Sequence, residues 1–397
     1  METRRARHRL AALVAVGALA SIAATCQAAK PPAPPPPPPS VYCAPSPPDT
    51  ADEYQAAFNG LRAANTAGWV ASDGGLPVPL TDGRVVWLFG DTIIGAPANG
   101  PVNILEIRNN GFVVQNQNKN CFTPTTTEPI PDPGTNQWIW PTGAVQPNAS
   151  TLLVFGLHMR RGGAPPFEFE LQSIDVARFS LSNLNAPVSV TDLPLPHSPT
   201  YGETLLVDGN FVYAYGQTRE ATGIPNTFPV PKHYVARAQL GSVVDGPWRF
   251  WSGIPGLEDE GWVTNPGLAA PMLFERPDDA IPGPSPVEGP LAGFAVGQNG
   301  SYVGSSFMID AFSNDMIWTW DSAEPQGPWT RGVAPAIDIR DTHGPITLPE
   351  RFAYGGRVVF NVQGSPLGLW STNHESLDAI RQNPAFYKVW FATPAAG

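Results

Sequence analysis

Leu76-Pro77-Val78-Pro79-Leu80, then Asp82-Gly83, then Val85-Val86-Trp87-Leu88-Phe89-Gly90, sets the pattern that the rest of the chain repeats. Two apolar runs hinged on Asp-Gly form a β-hairpin signal, because both hinge residues accept the left-handed backbone of a tight turn. The form recurs along the chain. Asn148-Ala149 turns into Leu152-Leu153-Val154-Phe155-Gly156, and Asp208-Gly209 turns into Phe211-Val212-Tyr213-Ala214-Tyr215-Gly216. Asn299-Gly300 leads into Tyr302-Val303-Gly304, and Gly355-Gly356 is read as the last turn, leading into Val358-Val359-Phe360-Asn361.

Further strand-like runs separate these hairpins, at residues 111–115, 169–179, 234–240, 316–320 and 386–391. Each repeat therefore holds about four strands, the content of one propeller blade. The turn positions 83, 149, 209, 300 and 356 are spaced 66, 60, 91 and 56 apart, which fits blades with variable loops. Asp245-Gly246-Pro247-Trp248 and Gln326-Gly327-Pro328-Trp329 recur at expected blade edges. An all-β, five-bladed propeller follows; a β-sandwich pair is the competing fold and accommodates five similar hairpins less well. Thr50-Ala51-Asp52-Glu53 has capping-box spacing, with Tyr54, Phe58 and Leu61 at helical intervals, so one short helix should open the domain near 51–64.

The 397 residues include 47 Pro, 39 Gly and only 3 Cys, and 14% are charged against about 25% in an average soluble domain. A chain with 42% hydrophobic residues buries enough surface to order itself, which excludes a disordered protein. The formal charge of −11, with no basic run after residue 9, excludes a nucleic-acid partner. Four arginines within residues 1–9, an apolar stretch over 10–24 and small residues to Ala29 read as a secretory signal over 1–28. Cys26 admits a lipoprotein reading, although Ala23-Ala24-Thr25 matches that pattern poorly. Residues 29–49 form a Pro-rich linker, extended and semi-rigid, which would hold the 50–397 domain away from a cell wall or membrane surface. Once the signal is removed, Cys43 and Cys121 remain, either as a disulfide or as two buried thiols. A monomer is expected.

Innermost strands of a propeller line its central funnel, so chemistry belongs at the ends of each repeat's first two strands. In repeat one these places hold Asp73 and Asp91, nine residues on either side of Asp82 and so nearly opposite across the hairpin. Paired carboxylates are what glycoside hydrolysis needs, one as acid and one as base or nucleophile, and like charges at short range raise one of the two affinities for a proton. Asp-Gly and Asp-Thr also serve as turn and capping residues, which is the competing role. Repeat three supplies Glu203, for which simple surface exposure is the alternative. Repeat two has no acid at this place. Its Trp138-Ile139-Trp140-Pro141-Thr142-Gly143 offers Trp140 as a sugar-stacking face, although Trp in a blade is usually core. His158 follows a strand of repeat two, and aligning residues 342–346 with 72–76 sets His343 at the pseudo-equivalent of Asp73. No His/Cys/carboxylate cluster has metal-ligand spacing and no nucleotide-binding loop is present, so no cofactor is expected; an oxygen-only Ca²⁺ site stays open.

Gly68-Trp69-Val70-Ala71-Ser72-Asp73-Gly74, followed by the run from Pro77 to Thr92, resembles a signature of a secreted bacterial family. That family was first catalogued as a domain of unknown function and was later tied to endo-D-arabinofuranosidases acting on mycobacterial arabinan. Val212-Tyr213-Ala214-Tyr215-Gly216, Gly327-Pro328-Trp329 and Asn383-Pro384-Ala385-Phe386-Tyr387 extend the resemblance over most of 65–392. It implies a five-bladed propeller similar in outline to arabinanases and xylosidases, with Asp73 and Asp91 as active-site carboxylates and Glu203 as a third. The expected activity is cleavage of a furanose- or pentose-containing polysaccharide, with Trp140, His158 and His343 lining the sugar site. The alternative is a non-catalytic surface propeller that binds glycan or protein.

Overall fold

The computed structural model describes residues 41–64, 68–96, 101–162, 169–220, 230–275, 287–296, 300–309, 315–339, 351–359, 365–374 and 376–395. The expected signal and most of the expected linker lie outside them. Five sheets follow one another along the chain. Blade one holds β1 (Tyr42–Cys43), β2 (Gly68–Pro79), β3 (Val85–Ala96), β4 (Asn103–Arg108), β5 (Gly111–Gln115) and β6 (Cys121–Pro124). Blade two holds β7 (Gln137–Asn148), β8 (Thr151–Arg161), β9 (Phe169–Ser180) and β10 (Ser189–Asp192). Blade three runs through β11 (Thr200–Asp208), β12 (Phe211–Glu220), β13 (Val230–Gln239), β14 (Arg249–Trp251) and β15 (Trp262–Val263).

Blade four contains β16 (Phe274–Glu275), β17 (Val287–Val296), β18 (Tyr302–Ile309), β19 (Asp315–Ser322), β20 (Trp329–Arg331) and β21 (Ile337–Asp338). Blade five contains β22 (Arg351–Val359), β23 (Leu367–His374) and β24 (Lys388–Ala392). The first strands β2, β7, β11, β17 and β22 contact one another in that order, and β22 returns to β2. The five blades close into a ring around one axis.

The apolar runs of the second strands are continuous because each second strand is buried on both faces. Successive side chains alternate across a strand. Trp87 and Phe89 of β3 therefore join the core shared with blade five, while Val86 and Leu88 join the core shared with blade two. Each of the remaining blade interfaces has its own core: Phe155 meets Val212 and Trp248, Tyr215 meets Trp320 and Trp329, and Phe307 meets Val358 and Trp370. The Gly-Pro-Trp repeats do sit at outer edges. Trp248 packs edge-on against Phe155 and Trp329 against Tyr215, in each case the second-strand aromatic of the preceding blade.

Helix α1 (Ala51–Ala64) forms where the capping box predicts, with the Glu53 carboxylate accepting the Asp49 and Thr50 amides. Its buried Tyr54, Phe58 and Leu61 cover the seam between blades one and five, and Phe58 touches Trp87, Phe89 and Phe391. Cys43 and Cys121 are joined as a disulfide, where β1 pairs with β6 on the rim of blade one. Ordered structure has thus begun by Tyr42, inside the stretch expected as linker. Repeat five departs from its expected hairpin. Gly355-Gly356 is not the hairpin turn but lies within β22, and β23 begins only at Leu367.

Candidate active site

All five first strands carry a register slip against their second strand. It falls between Ser72 and Leu76 in β2, Pro141 and Gly143 in β7, Tyr201 and Thr204 in β11, Glu288 and Ala295 in β17, and Tyr354 and Arg357 in β22. A bulge frees a residue from the ladder and re-aims its side chain. Gly74, Gly202 and Gly355, with φ of 85°, 82° and 64°, supply the left-handed backbone these bulges need. Phe89 pairs with Gly74, Phe155 with Gly143 and Tyr215 with Thr204. The preceding residues, Asp73, Thr142 and Glu203, consequently stand at one level in blades one, two and three.

Asp73 lies over the backbone of the neighbouring strand. A Cβ on Gly90 would stand 2.5 Å from Asp73 Oδ1, so only glycine leaves room for the carboxylate there. The Asp91 amide hydrogen-bonds that carboxylate, Tyr354 donates its hydroxyl to Oδ2 at 2.7 Å, and the Tyr387 hydroxyl also bonds it. Tyr387 reaches the Asp91 carbonyl at 3.0 Å as well, and Gly74 donates its amide to Ser371 Oγ at 2.9 Å. Asp91 Oδ1 accepts from Trp140 Nε1 of blade two at 2.8 Å.

Both carboxyls are half-buried. Burial, reinforced by the Asp73 charge, pushes Asp91 up to about 8, against the opposing Trp140 hydrogen bond. Burial also raises Asp73, but Tyr354, Tyr387, the Asp91 amide and the Arg357 guanidinium all favour its ionised form. More donors face Asp73 than Asp91, so a proton on the pair favours Asp91. Tyr354 and Tyr387 are held well above the usual phenol range by burial and remain donors.

Trp140 is half-buried, with Trp138 and Phe169 edge-on to it at 5.4 and 5.3 Å. Thr142 Oγ1 donates to the Gly202 carbonyl at 2.5 Å, linking the bulges of blades two and three. Glu203 is half-buried beside Tyr215, Gly216 and His233. His158 is engaged inside blade two: Nε2 meets Gln137 Oε1 at 2.8 Å, and Nδ1 lies 3.2 Å from both Ser173 Oγ and Asp175 Oδ2. No hydrogen bond joins it to the aspartate pair. His343 falls outside the described residues, and the register of β22 gives the place matching Asp73 to the Tyr354–Arg357 bulge instead. Sequence reasoning missed Tyr354, Arg357 and Ser371, and quoted Tyr387 without a role; a Gly-Gly pair inside an apolar run was the one available sign of a bulge. Among the described residues no group of three or more His, Cys, Asp or Glu is arranged to hold a metal ion.

A Bacteroides ovatus protein described as a candidate hydrolase superposes with a TM-score of 0.61 at 16% identity, covering 88% of this chain and 89% of its own. The fold is shared. An endo-arabinase from Bacteroides thetaiotaomicron is similar at a TM-score of 0.46 and 9% identity, over 82% and 95% of the two chains. A GH43_1 enzyme from Xanthomonas citri is similar at 0.46 and 15%, over 84% and 89%. These are distant likenesses to glycoside hydrolase propellers. No curated protein matches. Residues 55–389 match the family described as a domain of unknown function, DUF5005, and the chain belongs to that family.

Proposed function

We propose that the protein is a secreted glycoside hydrolase cleaving an arabinan-like polysaccharide of furanose or pentose units. One observation carries the reading: two aspartates on adjacent strands of one blade, Asp73 bonded by the Tyr354 hydroxyl and the Asp91 amide, and Asp91 by the indole of the half-buried Trp140. Asp91 gives its proton to the glycosidic oxygen as the bond from that oxygen to the anomeric carbon breaks. Asp73 acts at the same carbon, either as base towards the attacking water or as a nucleophile whose glycosyl ester water then opens. Water is thereby added across the bond, and Asp91 recovers its proton from the attacking water or from bulk solvent for the next turnover. Glu203, at the matching level of blade three, assists as the third carboxyl. Trp140, with Phe169 beside it, offers an aromatic face to a sugar ring. The Cys43–Cys121 disulfide fits an oxidising compartment, in keeping with the expected signal and linker.

Reducing-end release from arabinan, arabinogalactan and xylan tests this. Release from an arabinose-containing glycan is expected. A protein that releases nothing yet binds one of these glycans would be a non-catalytic glycan-binding propeller, a role compatible with the lack of an acid in blade two.

A further inference from the structure

The aspartate pair belongs to blade one, yet much of what surrounds it comes from the far end of the chain. Tyr354 and Arg357 are three residues apart on β22, and in a regular strand they would face opposite sides of the sheet. The bulge between them changes this. Tyr354 pairs with Ser371 and Arg357 with Leu369, two positions that share a face of β23. Both side chains are therefore turned to the same side, and both act on Asp73. Arg357 is additionally anchored by its Nε, which donates to the Gly355 carbonyl at 3.2 Å. Tyr387, just before β24, completes the set by bonding the Asp73 carboxylate and the Asp91 carbonyl at once.

We propose that blade five supplies the positioning residues of the pair: Tyr354 and Tyr387 with their hydroxyls, and Arg357 with its charge, fix Asp73 as the ionised member and so leave the proton on Asp91. This deepens the hydrolase reading and rests on it for its role in catalysis, but not for its chemistry. Three of the four groups that hold Asp73 ionised come from blade five, and the fourth is the Asp91 amide. Burial pulls the Arg357 guanidinium down to about 10, so it is still a cation at neutral pH. Asp91 faces the opposite bias. Beyond Asp73, the acids Glu128 and Asp132 of the connection to blade two add negative potential to it. Two environments on neighbouring strands thus push two like groups apart, the condition for separate acid and base roles.

The test is a pH titration of the aspartate carboxyl carbons by ¹³C NMR on the full chain, comparing wild type with Tyr354→Phe, Tyr387→Phe and Arg357→Lys. In wild type the lower midpoint should be seen mainly at Asp73 and the upper one at Asp91. In Tyr354→Phe the Asp73 midpoint should rise by about one pH unit, and the Asp91 midpoint should fall as the proton becomes shared more evenly. Tyr387→Phe should act in the same direction, and Arg357→Lys, which keeps the charge, should move the midpoints least. Unchanged midpoints in both Phe variants would overturn the proposal, whether or not the protein cleaves a glycan. Midpoints that move in a protein releasing no reducing ends would uphold the positioning role and defeat the hydrolase reading.

Discussion

In blade one Phe89 pairs with Gly74, and in blade two Phe155 pairs with Gly143, so Asp73 and Thr142 occupy the same bulge position one blade apart. The strand that follows repeats too, with Gly90 and Gly156 each leaving room for the crossing first strand. Their chemistry differs. Asp73 meets a second carboxyl, two phenols and a guanidinium, whereas Thr142 spends its hydroxyl on the Gly202 carbonyl and has Leu157 where blade one has Asp91. The ring thus duplicates a backbone and differentiates it through a few side chains, with blade two contributing the Trp140 donor rather than an acid. A shared fold with the Bacteroides ovatus protein does not carry function across, for the same reason: the site resides in the side chains.

The sharpest break in that comparison comes from exchanging the two bulge residues for isosteres. Asp73→Asn should lower glycan cleavage by on the order of 10³-fold in a folded protein, while Thr142→Val should stay within about tenfold, as measured by initial rates. Equal losses would mean that the bulge matters only as backbone. The glycines behind the bulges should separate as well. Gly90→Ala drives a methyl against Asp73 Oδ1 and should cost about 10²-fold in kcat. Gly156→Ala drives its methyl into the Ile139 side chain and should instead cost about 2 kcal/mol of stability in a denaturant titration.

A smaller effect, of opposite sign, is expected from Asp91→Asn. A carboxyl pushed up to about 8 keeps a proton in the folded state that the unfolded chain has already lost, so its stabilising contribution falls as pH rises from about 4 to about 8. The variant should therefore be more stable than wild type, barely at pH 4 and by about 2 kcal/mol above pH 8. The gain is held to that size because the side chain keeps some exposure to the funnel. Thermal unfolding across this pH range checks it, and a gain that shrank with rising pH would contradict it. The mildest change is Trp140→Phe. Loss of the indole donor removes what opposes the burial of Asp91, so the alkaline limb of the pH–rate profile should move upward by less than about one pH unit.

Much of this was legible in the sequence where the interactions are local. Asp82-Gly83, Asn148-Ala149 and Asp208-Gly209 mark hairpin turns because turn chemistry is decided within a few residues, and the helix at 51–64 follows from its own cap. The pair was legible for the same reason, since one short hairpin sets Asp73 beside Asp91. The residues from blade five were not. Tyr354 bonds a carboxylate 281 positions away and Tyr387 a carbonyl 296 away, contacts that exist only because the ring closes. Gly355-Gly356 resembles a turn, yet it works as a bulge inside β22, where Phe307 packs too close to Gly356 for a side chain. His158, expected just after a strand, lies within β8, and Asp175 on the adjacent strand engages it.

Asp73 and Asp91 are either the acid and its partner in glycan cleavage or turn-stabilising carboxylates. Initial rates of reducing-end release on the best arabinose-containing glycan, measured for wild type, Asp73→Asn and Asp91→Asn with folding verified by circular dichroism, separate the two roles. A catalytic pair gives an active wild type and near-complete loss in both folded variants. Folded variants that cleave the glycan as fast as wild type would leave the two carboxylates a structural role only.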